Sequence, residues 1–224
     1  MSIAENIDLV KANLPAHVQL IAVSKTKPAN LLMEAYAHGQ RAFGENKVQE
    51  LVGKFEELPK DIEWHFIGHL QTNKVKYIAP FVGLIHSIDS FKLLEEVNKQ
   101  ALKNNRIIPC LLQFYIATEE SKFGFNQNEA EEMLNSEKFK ALKNIDIVGI
   151  MGMASFSNDL ELVSSEFKTL KQIFTHLKTN YFSANAHFKE ISMGMSGDYT
   201  IAIEEGSTLV RIGTAIFGDR NYQK

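Results

Sequence analysis

Eight alternations of strand-like and helix-like segments run along this chain of 224 residues, and they constrain its fold more than any other feature. Each short apolar run that suits a buried strand is followed by a segment whose apolar residues have helical spacing. Such alternation, without long linkers, is typical of parallel strands joined by right-handed crossovers. The predicted strands are 20–23, 41–44, 64–67, 84–88, 107–116, 145–151, 188–193 and 208–212.

Eight such units favour a closed barrel. The number predicts an α/β protein in which residues 1–224 form a single (β/α)₈ TIM barrel domain. Residues 2–13 precede the first strand and predict an extra N-terminal helix, for which a lid over the N-terminal end of the barrel is one position. The helical segment 73–78 is the weakest of the set, which leaves an open doubly wound sheet as the alternative.

Composition and charge disfavour several classes of protein. A net charge of −3 and a pI of about 6.2 give no basic field for nucleic acid or an anionic membrane. The single cysteine, Cys110, lies among apolar residues, so it is predicted to be a core residue that is compatible with a reducing cytosol. The sequence shows no signal-peptide pattern and no apolar stretch near the ~20 residues that span a bilayer. These features predict a cytoplasmic protein.

Lys25 stands directly after the first predicted strand, where α/β barrels place their chemistry. A lysine is almost never fully buried without a partner, and a desolvated lysine amine can attack a carbonyl to form a Schiff base. Lys27, two residues on, is a second cation that would favour loss of the proton from Lys25. The alternative is that Lys25 has no chemical role and extends into solvent from the end of the strand.

Glycines and hydroxyl-bearing residues follow the last two predicted strands, at 192–198 and 213–214. Loops of this kind before short helices frequently hold a phosphate in barrels. A reactive lysine that faces a phosphate site suggests pyridoxal 5′-phosphate (PLP), although a phosphosugar aldolase needs the same two parts. Arg211 interrupts an apolar strand and therefore needs either a ligand or a structural ion pair.

His65 and His69 are predicted to be core or rim residues rather than metal ligands. A spacing of four suits one face of a helix, and Gly68 between them argues against a helix. The sequence therefore predicts no metal site.

Six short stretches, taken in their order and spacing, match a known family. They are 22–28, 43–46, 64–68, 71–74, 192–196 and 210–218. On these stretches the chain resembles the YggS/PROSC family of PLP homeostasis proteins. The resemblance implies a barrel related to the N-terminal domain of alanine racemase, in which Lys25 holds PLP as a Schiff base.

The resemblance also implies the rest of the cofactor site. Arg211 would be the partner of the pyridine nitrogen, Asn46 a neighbour of the ring, and the loops after strands seven and eight the phosphate site. Lys122 is a further candidate contact. The implied cofactor-binding residues are Lys25, Asn46, Ser192, Met193, Gly194, Ser196, Arg211, Gly213 and Thr214.

An arginine beside the pyridine nitrogen has a chemical consequence. Because arginine keeps its proton, the nitrogen stays unprotonated, and the electron sink used by most PLP enzymes is weakened. Related racemases carry a second domain that supplies a catalytic tyrosine, whereas six residues follow Gly218 here. The sequence therefore predicts a carrier without catalytic residues, a monomer or weak dimer that serves PLP homeostasis and has PLP-dependent apo-enzymes as candidate partners. A one-domain amino-acid racemase is the alternative.

Overall fold

The computed structural model describes residues 1–117 and 123–219. In these residues, parallel strands close into a barrel in the order β1 to β8, with β8 paired to β1. The closed barrel confirms the predicted fold and excludes the open sheet, which would leave two edge strands. The strands are β1 Gln19–Val23, β2 Ala42–Glu45, β3 Glu63–Phe66, β4 Leu84–Ile88, β5 Ile108–Gln113, β6 Ile145–Met151, β7 Glu190–Ser192 and β8 Leu209–Ile212.

Helices follow the strands as the apolar spacing predicts, with two local differences. The weak segment 73–78 is a 3₁₀ turn, Thr72–Lys74, that leads into a one-turn helix, Val75–Ile78. The apolar spacing over 128–140 predicts one helix, but the structure divides this segment at Ser136 into Gln127–Asn135 and Glu137–Lys140. The helices are α1 Ile3–Ala12, α2 Ala29–Ala37, α3 Val48–Glu57, α4 Val75–Ile78, α5 Phe91–Lys103, α6 Gln127–Asn135, α7 Glu137–Lys140, α8 Leu160–Asn180, α9 Tyr199–Glu204 and α10 Thr214–Phe217.

The extra N-terminal helix lies beside the barrel and not across its end. Its buried residues Ile3, Ile7 and Val10 join the main hydrophobic core, and the helix packs against α2 and α10. Asn6 Nδ2 donates to the carbonyl of Ile216 in α10 over 2.9 Å. Because α10 has one turn and covers little of the sheet, α1 completes the outer ring of helices. The prediction that this helix forms a lid over the N-terminal end of the barrel is therefore wrong.

Alternate strand residues divide the core into two layers, as the period of two in a strand requires. Outward-facing side chains such as Trp64 and Ile85 pack under the helices. A separate cluster of Leu84, Leu111 and Met151, with Leu209, packs inside the barrel. No helix in the described part of the chain is both long enough and apolar enough to cross a bilayer.

Candidate functional site

Lys25 projects from a tight turn at the end of β1 and is partly buried. The backbone N–H of Ser24 donates to the carbonyl of Gly44 over 3.1 Å, so pairing with β2 continues beyond the strand. Thr26 has a φ of +65°, which is rare for a β-branched residue. Its backbone N–H donates to Glu50 Oε1 over 2.6 Å. The turn that carries Lys25 is therefore held on both sides by its neighbours.

A buried ion-pair cluster supports this turn from below. Lys54 Nζ donates to the carbonyl of Ser24 over 2.8 Å, to Glu45 Oε1 over 2.6 Å and to Glu50 Oε1 over 2.7 Å. The Ser24 hydroxyl also donates to Glu45 Oε1 over 2.6 Å. Burial raises the pKa of Glu45, and the attraction and hydrogen bond of Lys54 oppose that rise. The cluster fixes both the backbone before Lys25 and the carboxylate that anchors Thr26.

Lys27 does not direct its ammonium group at Lys25 in this structure. Lys27 Nζ donates to the carbonyls of Phe217, Gly218 and Asp219 over 2.9, 2.9 and 2.7 Å. These carbonyls lie at the C-terminal end of α10, where a cation is favourable. Lys27 thus ties the turn after β1 to the end of the last helix, and its role as an electrostatic neighbour of Lys25 stays a prediction.

Arg211 points into the barrel from β8 and is 4% exposed. Its Nη1 donates to Ser192 Oγ over 2.6 Å, and its Nη2 donates to the carbonyl of Gly152 over 3.2 Å. Burial lowers the pKa of Arg211 to about 10, so the group remains a cation near neutral pH. In the described residues no carboxylate lies within ion-pair distance of Arg211, although the charge of Asp198 partly opposes the fall in its pKa. This argues against the alternative of a direct structural ion pair.

The loop after β7 and the turn after β8 are joined by hydrogen bonds. The backbone N–H of Arg211 donates to the carbonyl of Gly194 over 3.0 Å, and that of Gly213 donates to Ser196 Oγ over 3.3 Å. Gly194 has a φ of +93°, which favours glycine. A side chain on Gly213 would approach the carbonyl of Val23 to 3.0 Å. The two loops therefore meet beside the end of β1, with exposed Thr214 as the first residue of α10.

Asn46 and Met193 have different surroundings. The side-chain oxygen of Asn46 is buried and has no hydrogen-bond partner within the described residues. Met193 is fully buried in the core. Its N–H donates to the carbonyl of Leu209, and its carbonyl accepts from Ser207. Its contribution in this structure is packing beneath the loop. Lys122, the remaining candidate, lies outside the described residues.

The two histidines near β3 have separate roles. His65 is buried inside the barrel, whereas His69 is exposed at the rim and contacts Asp89 over 3.0 Å. In residues 1–117 and 123–219 there is no group of three or more side chains arranged to hold a metal ion.

Comparison with known proteins agrees with this architecture. The model of the family described as alanine racemase, N-terminal domain, matches residues 1–221. The pyridoxal phosphate homeostasis protein of Aquifex aeolicus is 42% identical over 205 residues, which cover 91% of this chain and 88% of the relative. The human protein of the same name is 40% identical and covers 95% of this chain and 80% of its own length.

One solved structure, PipY of Synechococcus elongatus with PLP bound, is 34% identical and superposes with a TM-score of 0.88. The match covers 97% of this chain and 100% of PipY. The chain belongs to the pyridoxal phosphate homeostasis protein family. Membership confirms the resemblance that the six short stretches indicated.

Sequence reasoning missed two polar groups in this member of the family. His86, inside the barrel, hydrogen-bonds to both His65 and Ser192, and the buried pair of Glu45 and Lys54 lies under Lys25. A signal for His86 was present, since a histidine on the inward face of an apolar strand needs a partner. Lys54 gave a weaker signal, because a lysine near the end of an amphipathic helix usually faces solvent.

Proposed function

We propose that this protein binds PLP at the C-terminal rim of the barrel, with Lys25 bonded to the aldehyde, and contributes to intracellular PLP homeostasis. The observation that carries the proposal is the convergence of three neighbouring strand ends. Lys25 follows β1, Arg211 lies on β8, and β8 pairs with both β1 and β7. When bound, PLP supplies an aldehyde that condenses reversibly with an amine and releases one water.

The donor set fits a phosphorylated pyridine aldehyde. Lys25 supplies a partly buried amine, and the buried side-chain oxygen of Asn46 is an acceptor without a hydrogen-bond partner in the described residues. The joined loops offer Ser196, Gly213 and Thr214 for the phosphate, in agreement with the preference of such loops for anions. We assign Ser192 and Gly194 to this site as the groups that hold Arg211 and the loop in place, and Met193 as packing.

Arg211 favours a carrier over an enzyme. Two of its nitrogens donate to Ser192 and to the carbonyl of Gly152, and the described residues supply no hydrogen-bond partner for its other N–H groups. These groups can therefore donate to a pyridine nitrogen. A guanidinium group donates to that nitrogen without giving up its proton, which weakens the electron sink that amino-acid chemistry requires. The relatives at 36–42% identity are named as homeostasis proteins, which supports the same proposal.

The decisive experiment is the absorbance spectrum of purified protein after incubation with PLP. The wild type should show the absorption band of lysine-bound pyridoxal, and borohydride followed by peptide mapping should place the label on Lys25. Lys25→Ala should lose the band. Lys47→Ala, which removes an exposed lysine just after β2, should keep it. A colourless wild type, or a Lys25→Ala variant with an unchanged band, would refute the proposal.

Absence of dedicated turnover needs its own test. Protein loaded with PLP is incubated with L-alanine in deuterated water, and deuterium at Cα is followed together with the enantiomer ratio. A carrier should give exchange no faster than free PLP. Rapid exchange with racemisation would instead support the one-domain racemase.

We also propose that PLP-dependent apo-enzymes receive the cofactor from this protein. Loaded protein should restore an apo-transaminase faster than the spontaneous release of PLP allows. Equal rates would support passive buffering and contradict direct transfer.

A further inference from the structure

A chain of buried polar side chains runs through the interior of the barrel behind Arg211. Ser192 Oγ lies 2.6 Å from Arg211 Nη1 and 2.8 Å from His86 Nδ1. His86 Nε2 in turn lies 2.8 Å from His65 Nδ1. The four side chains belong to β8, β7, β4 and β3, and each is at most 4% exposed. Polar groups this deeply buried are costly unless they satisfy one another.

The chain ends at the opposite mouth of the barrel. His65 lines a cavity of about 300 Å³ there, together with residues at the starts of several strands, among them Gln19, Pro109 and Glu190. His65 Nε2 is 3.1 Å from Glu63 Oε1. The two atoms are poorly aligned for a hydrogen bond, since Nε2 finds no such partner in the described residues, and the contact is therefore electrostatic.

The chemistry of Arg211 determines which atoms donate in the hydrogen bonds between Arg211 and Ser192 and between Ser192 and His86. A guanidinium group only donates, so Ser192 Oγ accepts from Arg211. Within the described residues, Ser192 Oγ has two hydrogen-bond partners, Arg211 and His86. Because a buried hydroxyl group donates where an acceptor is in reach, its hydrogen is directed at His86 Nδ1, the one acceptor that the described residues offer.

The same argument determines which nitrogen is protonated in the imidazole rings of His86 and His65. Burial, with His65 and Arg211 nearby, lowers the pKa of His86 well below its ordinary value, so the ring is neutral. A neutral ring that accepts at Nδ1 carries its proton on Nε2 and donates from there to His65 Nδ1. His65 then also carries its proton on Nε2, which faces Glu63.

We infer that His65, His86 and Ser192 form a directional hydrogen-bond chain that holds Arg211 in the orientation needed to contact a ligand at the rim. His65 and His86 are positioning residues, because they act on the ligand only through Ser192 and Arg211. The direction of the chain stands on contacts within the protein. Its consequence for ligand binding rests on the proposed PLP function.

The first test reads the tautomers directly and needs no ligand. Protein labelled with ¹⁵N-histidine is studied by long-range ¹H–¹⁵N correlation near neutral pH. Both His65 and His86 should show the neutral ring with the proton on Nε2. A proton on Nδ1 of either ring, or a doubly protonated His86, would overturn the inferred direction.

The second test uses a matched pair of variants at one position. Asn and Leu have nearly the same shape, but only the Asn side chain retains an acceptor near the place of His86 Nδ1. We expect His86→Leu to bind PLP about tenfold more weakly than the wild type, the scale of one hydrogen bond to a charged group, and His86→Asn to recover most of that loss. The affinities come from titration of the absorption band.

Two controls separate positioning from general damage. Ile85→Ala removes a buried, outward-facing neighbour on β4 and should lower stability while it leaves the affinity for PLP unchanged. In a Ser192→Ala background the difference between the Asn and Leu variants should disappear, because the link to Arg211 is already broken. Equal affinities of the two His86 variants in the wild-type background would overturn the inference. A wild type that fails to bind PLP would refute the proposed function, and the tautomer measurement would still decide the chain.

Discussion

Replacing Lys54 with methionine tests whether the buried cluster under Lys25 is held by charge. The change keeps the apolar stem and removes a buried ammonium group that contacts two carboxylates, of which Glu45 is fully buried. Removal of one partner from a buried ion pair leaves the other uncompensated and typically costs about 3–5 kcal/mol. We expect Lys54→Met to lower the free energy of unfolding by about 3 kcal/mol near neutral pH, the lower part of that range, because protonation of Glu45 limits the penalty.

The pH dependence gives this prediction its sign. Burial already raises the pKa of Glu45, and the loss of Lys54 should raise it further. A carboxyl group whose pKa is higher in the folded state than in the unfolded state stabilises the fold at low pH, and that contribution is lost as pH rises through the folded pKa. The stability deficit of Lys54→Met should therefore shrink between neutral pH and about pH 5.

Urea unfolding at the two pH values measures the deficit. Lys140→Met is the matched control, because it removes a lysine–glutamate pair of 2.7 Å from an exposed helix, and its unfolding midpoint should not change. A second variant, Lys54→Met combined with Glu45→Gln, should recover part of the loss, because the remaining carboxylate, Glu50, is partly exposed to solvent. A Lys54→Met deficit no larger than that of Lys140→Met, or one that is independent of pH, would contradict the reasoning.

Two further predictions concern the loop after β7 and the single cysteine. Gly194→Ala should lower the free energy of unfolding in urea by about 1–3 kcal/mol, because a Cβ there would lie 2.6 Å from Ala202 Cβ at a positive φ. Gly197→Ala in the same loop has open space around it and should leave the free energy of unfolding nearly unchanged. Burial raises the pKa of the Cys110 thiol far above its ordinary value. A thiol reagent near neutral pH should therefore label Cys110 only in unfolded protein, and fast labelling of the native protein would contradict this prediction.

The sequence predicts the elements with the strongest local signals most closely. The bounds of β4 and β6 agree with the prediction, since their apolar patterns end at clear breaks. The division between α6 and α7 was missed. Ser136 interrupts a helical pattern there by accepting from the backbone N–H of Phe139, and a serine within a helical pattern does not reveal which hydrogen bond it will make.

In the candidate site, too, the sequence predicts some features and not others. Lys25 and Arg211 were found because each is a charged residue that ends or interrupts an apolar strand. The contacts of Lys27 with the end of α10 span 190 residues, and the contact of His86 with Ser192 spans 106 residues. Such contacts depend on the closure and register of the barrel, so no local pattern in the sequence predicts them.

The buried cations Lys54 and Arg211 are stabilised in different ways. Under Lys25, the charge of Lys54 is balanced at once by Glu45 and Glu50, so the turn is rigid and locally compensated. Arg211 has no carboxylate contact within the described residues, and its charge is instead met by Ser192 and by the carbonyl of Gly152. In the hydrogen-bond chain through His86 and His65, the Ser192 oxygen accepts from Arg211 at one end. At the other end, the N–H of His65 faces Glu63 at the far mouth of the barrel. In the described residues the barrel thus keeps a buried cation near the rim without a direct carboxylate contact, and Asp198 attracts it only through space. This arrangement leaves the remaining N–H groups of Arg211 for the ligand.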